Sequence, residues 1–121
     1  MLIKILVENT SISKDFGSEH GISLYIETKK QKILFDVGAS ELFLQNAKKL
    51  GVNIADVDFL VISHGHYDHG GGLKTFFEEN TKAEVFLHRF AFEKHYAIRK
   101  NDELDFIGLD EDLKQNKQVV L

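Results

Sequence analysis

The 121-residue sequence contains no cysteine and no proline. The lack of cysteine excludes disulfide bonds, thiolate catalysis and zinc sites built on cysteine. No apolar run approaches the length of a membrane span, and residues 1–7 lack the long apolar core of a signal peptide. We therefore expect a cytoplasmic protein, a location in which proteins without disulfides are ordinary.

The sequence also has little excess charge of either sign. Its 15 basic and 19 acidic residues are interspersed and give a formal net charge of −4. Surfaces that bind nucleic acid or anionic membranes need a basic patch, so we expect neither as a partner. The length fits one domain, residues 1–121, and a hydrophobic content of 43% with ten phenylalanines can supply its core.

The order of apolar segments predicts an α/β fold. Two or three hairpin strands precede alternating helices and strands, which favours a mixed sheet with helices on one face. The segment at 58–63 is apolar enough to predict burial on both faces. Ser40 is a plausible N-cap of a helix that Gly51 ends. Predicted strands cover residues 2–7, 22–27, 33–37, 58–63, 84–88 and 118–121; predicted helices lie between Ser40 and Gly51, after Gly72, at 92–96 and from Asp110.

One short segment gathers residues with metal-binding side chains, directly after the apolar run at 59–62. His64 and His66 are two residues apart, so in extended backbone both imidazoles point to the same side and can meet one ion. Asp68 and His69 follow at the expected start of a helix and could serve a second ion. Two ions ~4 Å apart would share a bridging hydroxide, a strong nucleophile at neutral pH. The pattern therefore predicts metal-assisted hydrolysis.

A solvated, histidine-rich turn is the alternative interpretation of this segment. Histidines do cluster by chance, but here an apolar strand precedes the motif and an amphipathic helix follows it. That context is the one in which a metal motif is expected.

The segment His64 to His69 has the pattern histidine-x-histidine-x-aspartate-histidine after an apolar strand, and it resembles the metal motif of the metallo-β-lactamase superfamily. A second match is the apolar segment Ile33 to Gly38, which ends in aspartate and glycine. A softer match runs from His20 to Leu24, with Ile26 to Thr28 after it. Together with the segment Ser63 to Leu73, it is similar to the branch named for dihydropterin-phosphate synthases. The resemblance spans about residues 1 to 100, judged on the motifs and their strand context.

The resemblance implies a role for each residue of the motif. His64 and His66 would bind the first metal ion, and Asp68 and His69 the second, with Asp68 also catalytic. Asp36 would support the ligands by hydrogen bonds from outside the metal sphere. Two zinc ions are expected, since acidic residues often replace His66 in the iron enzymes; iron or manganese would also suit these ligands.

Other polar residues invite a role near such a site. His20 lies in a loop before a core strand, so it could contact substrate, whereas Tyr67 could either orient substrate or simply pack. His88 follows a strand and could be taken for a third imidazole ligand, but the resemblance places that ligand later in the chain. We expect His95, in the predicted helix at 92–96, to be a surface or packing residue.

Domains of this superfamily are about twice as long, and their two similar halves form an αββα sandwich. None of the ligand motifs of the second half occurs in this sequence, and Val119 to Leu121 reads as a strand. We therefore expect the N-terminal half of such a domain, truncated, with one sheet face uncovered. An uncovered apolar face of that size predicts self-association, such as a homodimer.

These observations predict a metal-dependent hydrolase that uses a metal-bound hydroxide on an ester or phosphoester of a small molecule. Two alternatives are a non-catalytic metal-binding or self-associating module and a di-iron redox protein. The presence of His66 and the lack of a recognisable flavin domain argue against the redox protein.

Overall fold

Eight strands and three α-helices make up the structure, a computed structural model that describes residues 1–121. The helices are α1 (Leu42–Lys49), α2 (Tyr67–Gly70) and α3 (Leu73–Glu79), and 3-10 turns occur at Ile54–Asp56 and Glu111–Gln115. The strands are β1 (Leu2–Val7), β2 (Ser23–Glu27), β3 (Lys32–Phe35), β4 (Phe59–Val61), β5 (Glu84–Phe86), β6 (Tyr96–Ile98), β7 (Leu104–Phe106) and β8 (Val119–Val120).

Six of the strands form one mixed sheet in the order β1-β2-β3-β4-β5-β8. The pairs β1–β2 and β2–β3 are antiparallel, while β3, β4, β5 and β8 run parallel to one another. Strands β6 and β7 form a separate antiparallel hairpin. The predicted mixed α/β architecture is confirmed, and the carboxyl ends of the parallel strands share one edge of the sheet.

The core lies on one face of the sheet. Tyr25, Leu34, Leu60 and Val85 occupy matching register positions on neighbouring strands, so their side chains point to the same side. All four are buried in one cluster that includes Phe43 of α1 and, from α3, Leu73 and Phe76. Burying such a phenylalanine stabilises the fold by roughly 1.5–3 kcal/mol.

The opposite face of the sheet is only partly covered. A register row of apolar residues crosses it from Ile5 through Leu24, Phe35 and Val61 to Phe86. Ile5 is 56% exposed, and the other four are half-buried. An apolar row left open in this way is the surface that the sequence predicts for self-association.

Several predictions about individual segments were wrong. Residues 92–96 contain no helix: a turn at 92–93 leads through an irregular segment to Tyr96, the first residue of β6. The β6–β7 hairpin was not predicted. In β4, Phe59 and Val61 are only half-buried, so this strand is buried on one face and not on both.

The first helix begins two residues later than its predicted cap. Ser40 does not occupy the N-cap position, but its hydroxyl accepts a hydrogen bond from the Leu42 N–H at 3.2 Å. Gly51 ends the helix with a φ of 73°, a left-handed conformation that favours glycine. No helix in the structure combines the length and apolar character that a membrane crossing requires.

Candidate metal centre

The histidine motif lies where β4 leaves the sheet at its carboxyl end. Residues 62–66 connect β4 to the short helix α2, which contains Asp68 and His69. The neighbouring strand β3 ends at the same edge, and the Asp36 N–H donates to the Val61 carbonyl at 2.9 Å. Two adjacent parallel strands therefore deliver Asp36 and the motif to one crevice, where ligands of such sheets usually bind.

Three of the four predicted metal ligands come together. Donor atoms of His64, Asp68 and His69 all lie within 4.8 Å of one another. The ring of His66 lies outside that donor group but beside it, with its centroid 4.6 Å from the centroid of His64. The group combines two imidazoles with a carboxylate, a donor set that suits zinc and other divalent first-row ions.

Asp36 supports the histidine motif through hydrogen bonds. Its side chain is fully buried and its backbone adopts a positive φ of 56°. One carboxylate oxygen, Oδ1, accepts the Ser63 N–H at 2.7 Å, while Oδ2 accepts the Ser63 hydroxyl at 2.6 Å and lies 2.7 Å from Nδ1 of His69. These bonds are the contacts that the predicted supporting role requires.

The same hydrogen bonds determine which ring nitrogens are free. Because the Asp36 carboxylate accepts, the proton of a neutral His69 sits on Nδ1 and its Nε2 keeps a lone pair. The Ser63 hydroxyl gives its single proton to Asp36, so it can only accept from the Nδ1 of His64, 2.9 Å away. Both imidazoles therefore present Nε2 as a metal donor, and the residues fit a metal ion.

Electrostatics keep His64 in the form that binds metal. Burial lowers the pKa of its imidazole, and the neighbouring rings of His69 and His66 lower it further. A lowered pKa favours the neutral ring at neutral pH, and neutral imidazole is the ligand form.

The structure separates the remaining sequence candidates. Nε2 of His20 lies 3.1 Å from Oδ2 of Asp68, so the imidazole contacts the metal motif itself. Tyr67 is 42% exposed at the start of α2, and its backbone N–H donates to the carbonyl of Ile107. His88 is exposed, its ring packs on Phe90, and it is not part of the donor group.

His95 was missed as a neighbour of the site. Its ring centroid lies 5.3 Å from that of His66, and its Nδ1 is buried without a hydrogen-bond partner. The predicted helix is wrong, because residue 95 lies in the irregular segment before β6. The ring does pack, but its neighbour is His66 of the motif, which was not predicted. Ile107 joins the two segments, because its N–H donates to the His95 carbonyl and its carbonyl accepts the Tyr67 N–H. No local pattern signals a contact made across so many residues.

Comparison with known proteins gives a consistent result. The family model described as "Metallo-beta-lactamase superfamily" matches residues 19–117. An uncharacterized protein of Methanocaldococcus jannaschii is 39% identical over 115 residues, covering 94% of this chain and 43% of its own length. From the same organism, 7,8-dihydropterin-6-methyl-4-(beta-D-ribofuranosyl)-aminobenzene-5'-phosphate synthase is 38% identical over 88 residues, covering 68% of this chain and 30% of its own.

Solved structures agree with this result. A crystal structure of a metal-dependent hydrolase of the beta-lactamase superfamily has a TM-score of 0.76 and 31% identity, and the match covers 98% of this chain and 41% of that one. A mutant metallo-beta-lactamase from Cronobacter sakazakii has a TM-score of 0.58 and 25% identity, and the match covers 78% of this chain and 40% of that one. This chain spans less than half the length of these relatives. With a family model matched over most of its residues, it belongs to the metallo-beta-lactamase superfamily.

Proposed function

We propose that this chain carries the metal-binding part of a metal-dependent hydrolase that acts on an ester or phosphoester of a small molecule. The observation that carries the proposal is the grouping of His64, Asp68 and His69, with His69 oriented by the buried Asp36. Zinc is the proposed ion, two in the complete site, and iron and manganese are the alternatives that such ligands accept.

A bound divalent ion would supply an acidified water and polarise the bond to be cleaved. The chain's own residues then have separate tasks. Asp36 fixes the ring of His69, and Ser63 fixes that of His64, so both Nε2 atoms face the crevice. Asp68, whose side chain is 14% exposed, is the carboxylate placed to take a proton at Oδ1 or Oδ2.

The substrate class rests on the relatives. One of them is named as a synthase of a dihydropterin 5'-phosphate compound, which supports a phosphorylated or pterin-like small molecule as the ligand here. That relative is much longer than this chain, so the complete reaction is proposed for a complete domain, and metal binding is the part tested on this chain.

Metal analysis tests the proposal directly. Protein purified without chelator is expected to contain zinc in stoichiometric amounts, measured by inductively coupled plasma mass spectrometry. Replacing a proposed ligand, in His69→Ala or His66→Ala, should weaken zinc binding about tenfold or more, in line with losses seen when even supporting partners are removed. Circular dichroism should show unchanged folding.

The control for that experiment is His88→Ala, which removes an exposed imidazole outside the donor group. Equal zinc affinity in all four proteins, or no metal in the wild type, would contradict the proposed site. Stoichiometric iron in place of zinc, with reversible redox chemistry, would favour the di-iron protein instead.

A second candidate function is self-association through the partly covered sheet face. The observation that favours it is the half-buried apolar row that ends at the exposed Ile5. We propose a homodimer. Ile5→Glu places a charge on this face and should increase the monomer fraction at least severalfold in sedimentation velocity. Ile98→Glu is the matched control, because Ile98 is 74% exposed and lies on the β6–β7 hairpin, outside the six-stranded sheet. Equal sedimentation of both variants and the wild type would eliminate this face as the interface.

A further inference from the structure

The loop before β2 docks directly on the metal motif. Gly21 has a φ of 142°, and a Cβ atom there would lie 2.2 Å from the Asp68 carbonyl oxygen. Only glycine allows this approach. The backbone is held further by the Gly38 N–H, which donates to the Ile22 carbonyl at 2.9 Å. The docked loop places the imidazole of His20 next to the Asp68 carboxylate.

Asn9, two residues after the end of β1, contacts one side of that imidazole. The Gly21 N–H lies 3.0 Å from the Asn9 side chain, and because an N–H can only donate, the atom it meets must be Oδ1. The other amide atom, Nδ2, is therefore the one that faces Nδ1 of His20 at 3.2 Å. The orientation of the amide follows from a backbone donor and needs no assumption about His20.

The orientation of Asn9 in turn determines the tautomer of His20. An amide NH2 group has donors only, so Nδ1 of His20 must accept, and the proton of the neutral ring sits on Nε2. Nε2 lies 3.1 Å from Oδ2 of Asp68, so an N–H group faces a carboxylate oxygen. The opposite tautomer would place two donors at Asn9 and a lone pair against the carboxylate.

We propose that Asn9 and His20 are positioning residues for Asp68, with Asn9 selecting the Nε2–H tautomer and His20 restraining the carboxylate through Oδ2. This inference rests on the proposed function, in which Asp68 is a ligand and catalytic residue. Oδ2 also lies 3.5 Å from Nε2 of His69, so a restrained carboxylate keeps the donor group together. The Oδ1 atom is then the one offered to an ion or a substrate proton.

Asn9 and His20 can be substituted without disturbing the core, because both are exposed. The side chain of His20 is 69% exposed, and Asn9 is exposed as well. Neither contributes to the buried core, so substitutions there should leave folding intact, and a change in metal binding can be attributed to the site.

The test combines tautomer spectroscopy with zinc titration. In the metal-free protein at pH 8, long-range proton–nitrogen NMR should show His20 protonated on Nε2. Asn9→Asp replaces the donor facing Nδ1 by an acceptor, so each ring nitrogen of His20 then faces a carboxylate oxygen. The Nε2–H tautomer should therefore no longer be the single selected form, and zinc affinity should fall roughly tenfold. Thr10→Asp adds the same charge at an adjacent exposed position and should change neither.

Two substitutions at His20 test whether zinc affinity depends on its hydrogen bond to Asp68 or only on the size of its side chain. His20→Gln keeps an N–H group that can reach Asp68, so zinc affinity should stay within about threefold of the wild type, while His20→Ala should lose roughly tenfold. Equal affinity of the Ala and Gln variants, or a wild-type His20 protonated on Nδ1, would overturn the inference while leaving the proposed function standing. A wild type that binds no zinc would overturn both.

Discussion

Asp36→Asn is expected to weaken zinc binding by about 10- to 100-fold, the range known for groups that orient metal ligands. The substitution keeps the size of the side chain and removes one acceptor. Because the Ser63 N–H still requires an oxygen at the Oδ1 position, the new NH2 group must occupy the position of Oδ2. There it faces Nδ1 of His69, which was 2.7 Å from an acceptor.

A donor at that position reverses the protonation of the ring. Nδ1 of His69 must then accept, the proton moves to Nε2, and the nitrogen that should bind the ion no longer has a free lone pair. The Ser63 hydroxyl loses the acceptor for its proton as well, so the orientation of His64 is disturbed at the same time. Two ligands are affected by one substitution, which is why we expect the largest effect here.

Asp58→Asn is the matched control. Asp58 also accepts a backbone N–H, from Lys32 at 2.9 Å, but it lies at the opposite end of β4 from the motif. Zinc titration with a competing chelator should show affinity lost in Asp36→Asn and kept in Asp58→Asn. If Asp36→Asn bound zinc as tightly as the wild type, the tautomer of His69 would not be what Asp36 controls.

Part of this site could be predicted because strand ends are readable from sequence. Apolar runs that stop at Asp36 and at Ser63 identify two strands, and parallel neighbours bring their carboxyl ends to the same edge. The i, i+2 spacing places His64 and His66 side by side, as their ring separation of 4.6 Å shows. For these residues, the local sequence pattern and the geometry of a parallel sheet are sufficient to predict their proximity.

Other parts depend on segments that leave no pattern. Nearly all residues of strands β6 and β7 are exposed. Because neither strand has a buried face, its sequence does not show the alternation of apolar and polar residues that identifies a strand, and the hairpin was not predicted. His95 reaches His66 only because that hairpin folds back through Ile107. Asn9 enters the site through the docking of a loop, a contact set by tertiary packing and not by spacing.

The apolar character of β4 was misinterpreted for a related reason. Its sequence predicts burial on both faces, yet Phe59 and Val61 lie on the partly covered face. An apolar strand sequence indicates that both faces of the strand are suited to burial. The second face is buried only when another layer of protein covers that side of the sheet. The misprediction and the proposed homodimer therefore have the same physical origin.

Gly65→Ala is expected to disrupt both the fold and the metal site, because the segment after β5 packs against the motif with no room for a side chain. A Cβ atom at residue 65 would lie 1.9 Å from the carbonyl oxygen of Ala91. Ala91 is itself buried, and its N–H donates to the His88 carbonyl, so the obstructing backbone cannot move freely. Relief requires displacement of the motif, and overpacking of this kind costs about 1–3 kcal/mol or more.

Since Gly65 separates His64 from His66, any displacement also changes the relative positions of two imidazoles. Urea unfolding of metal-free protein should show the loss of stability, and zinc titration a parallel loss of affinity. Gly51→Ala is the control: its positive φ of 73° costs roughly 1 kcal/mol, but no atom lies within 4 Å of the added methyl group. We expect Gly51→Ala to lose stability without losing zinc, and Gly65→Ala to lose both. If Gly65→Ala kept wild-type zinc affinity, close packing of the 88–95 segment on the motif would not be what holds the imidazoles in place.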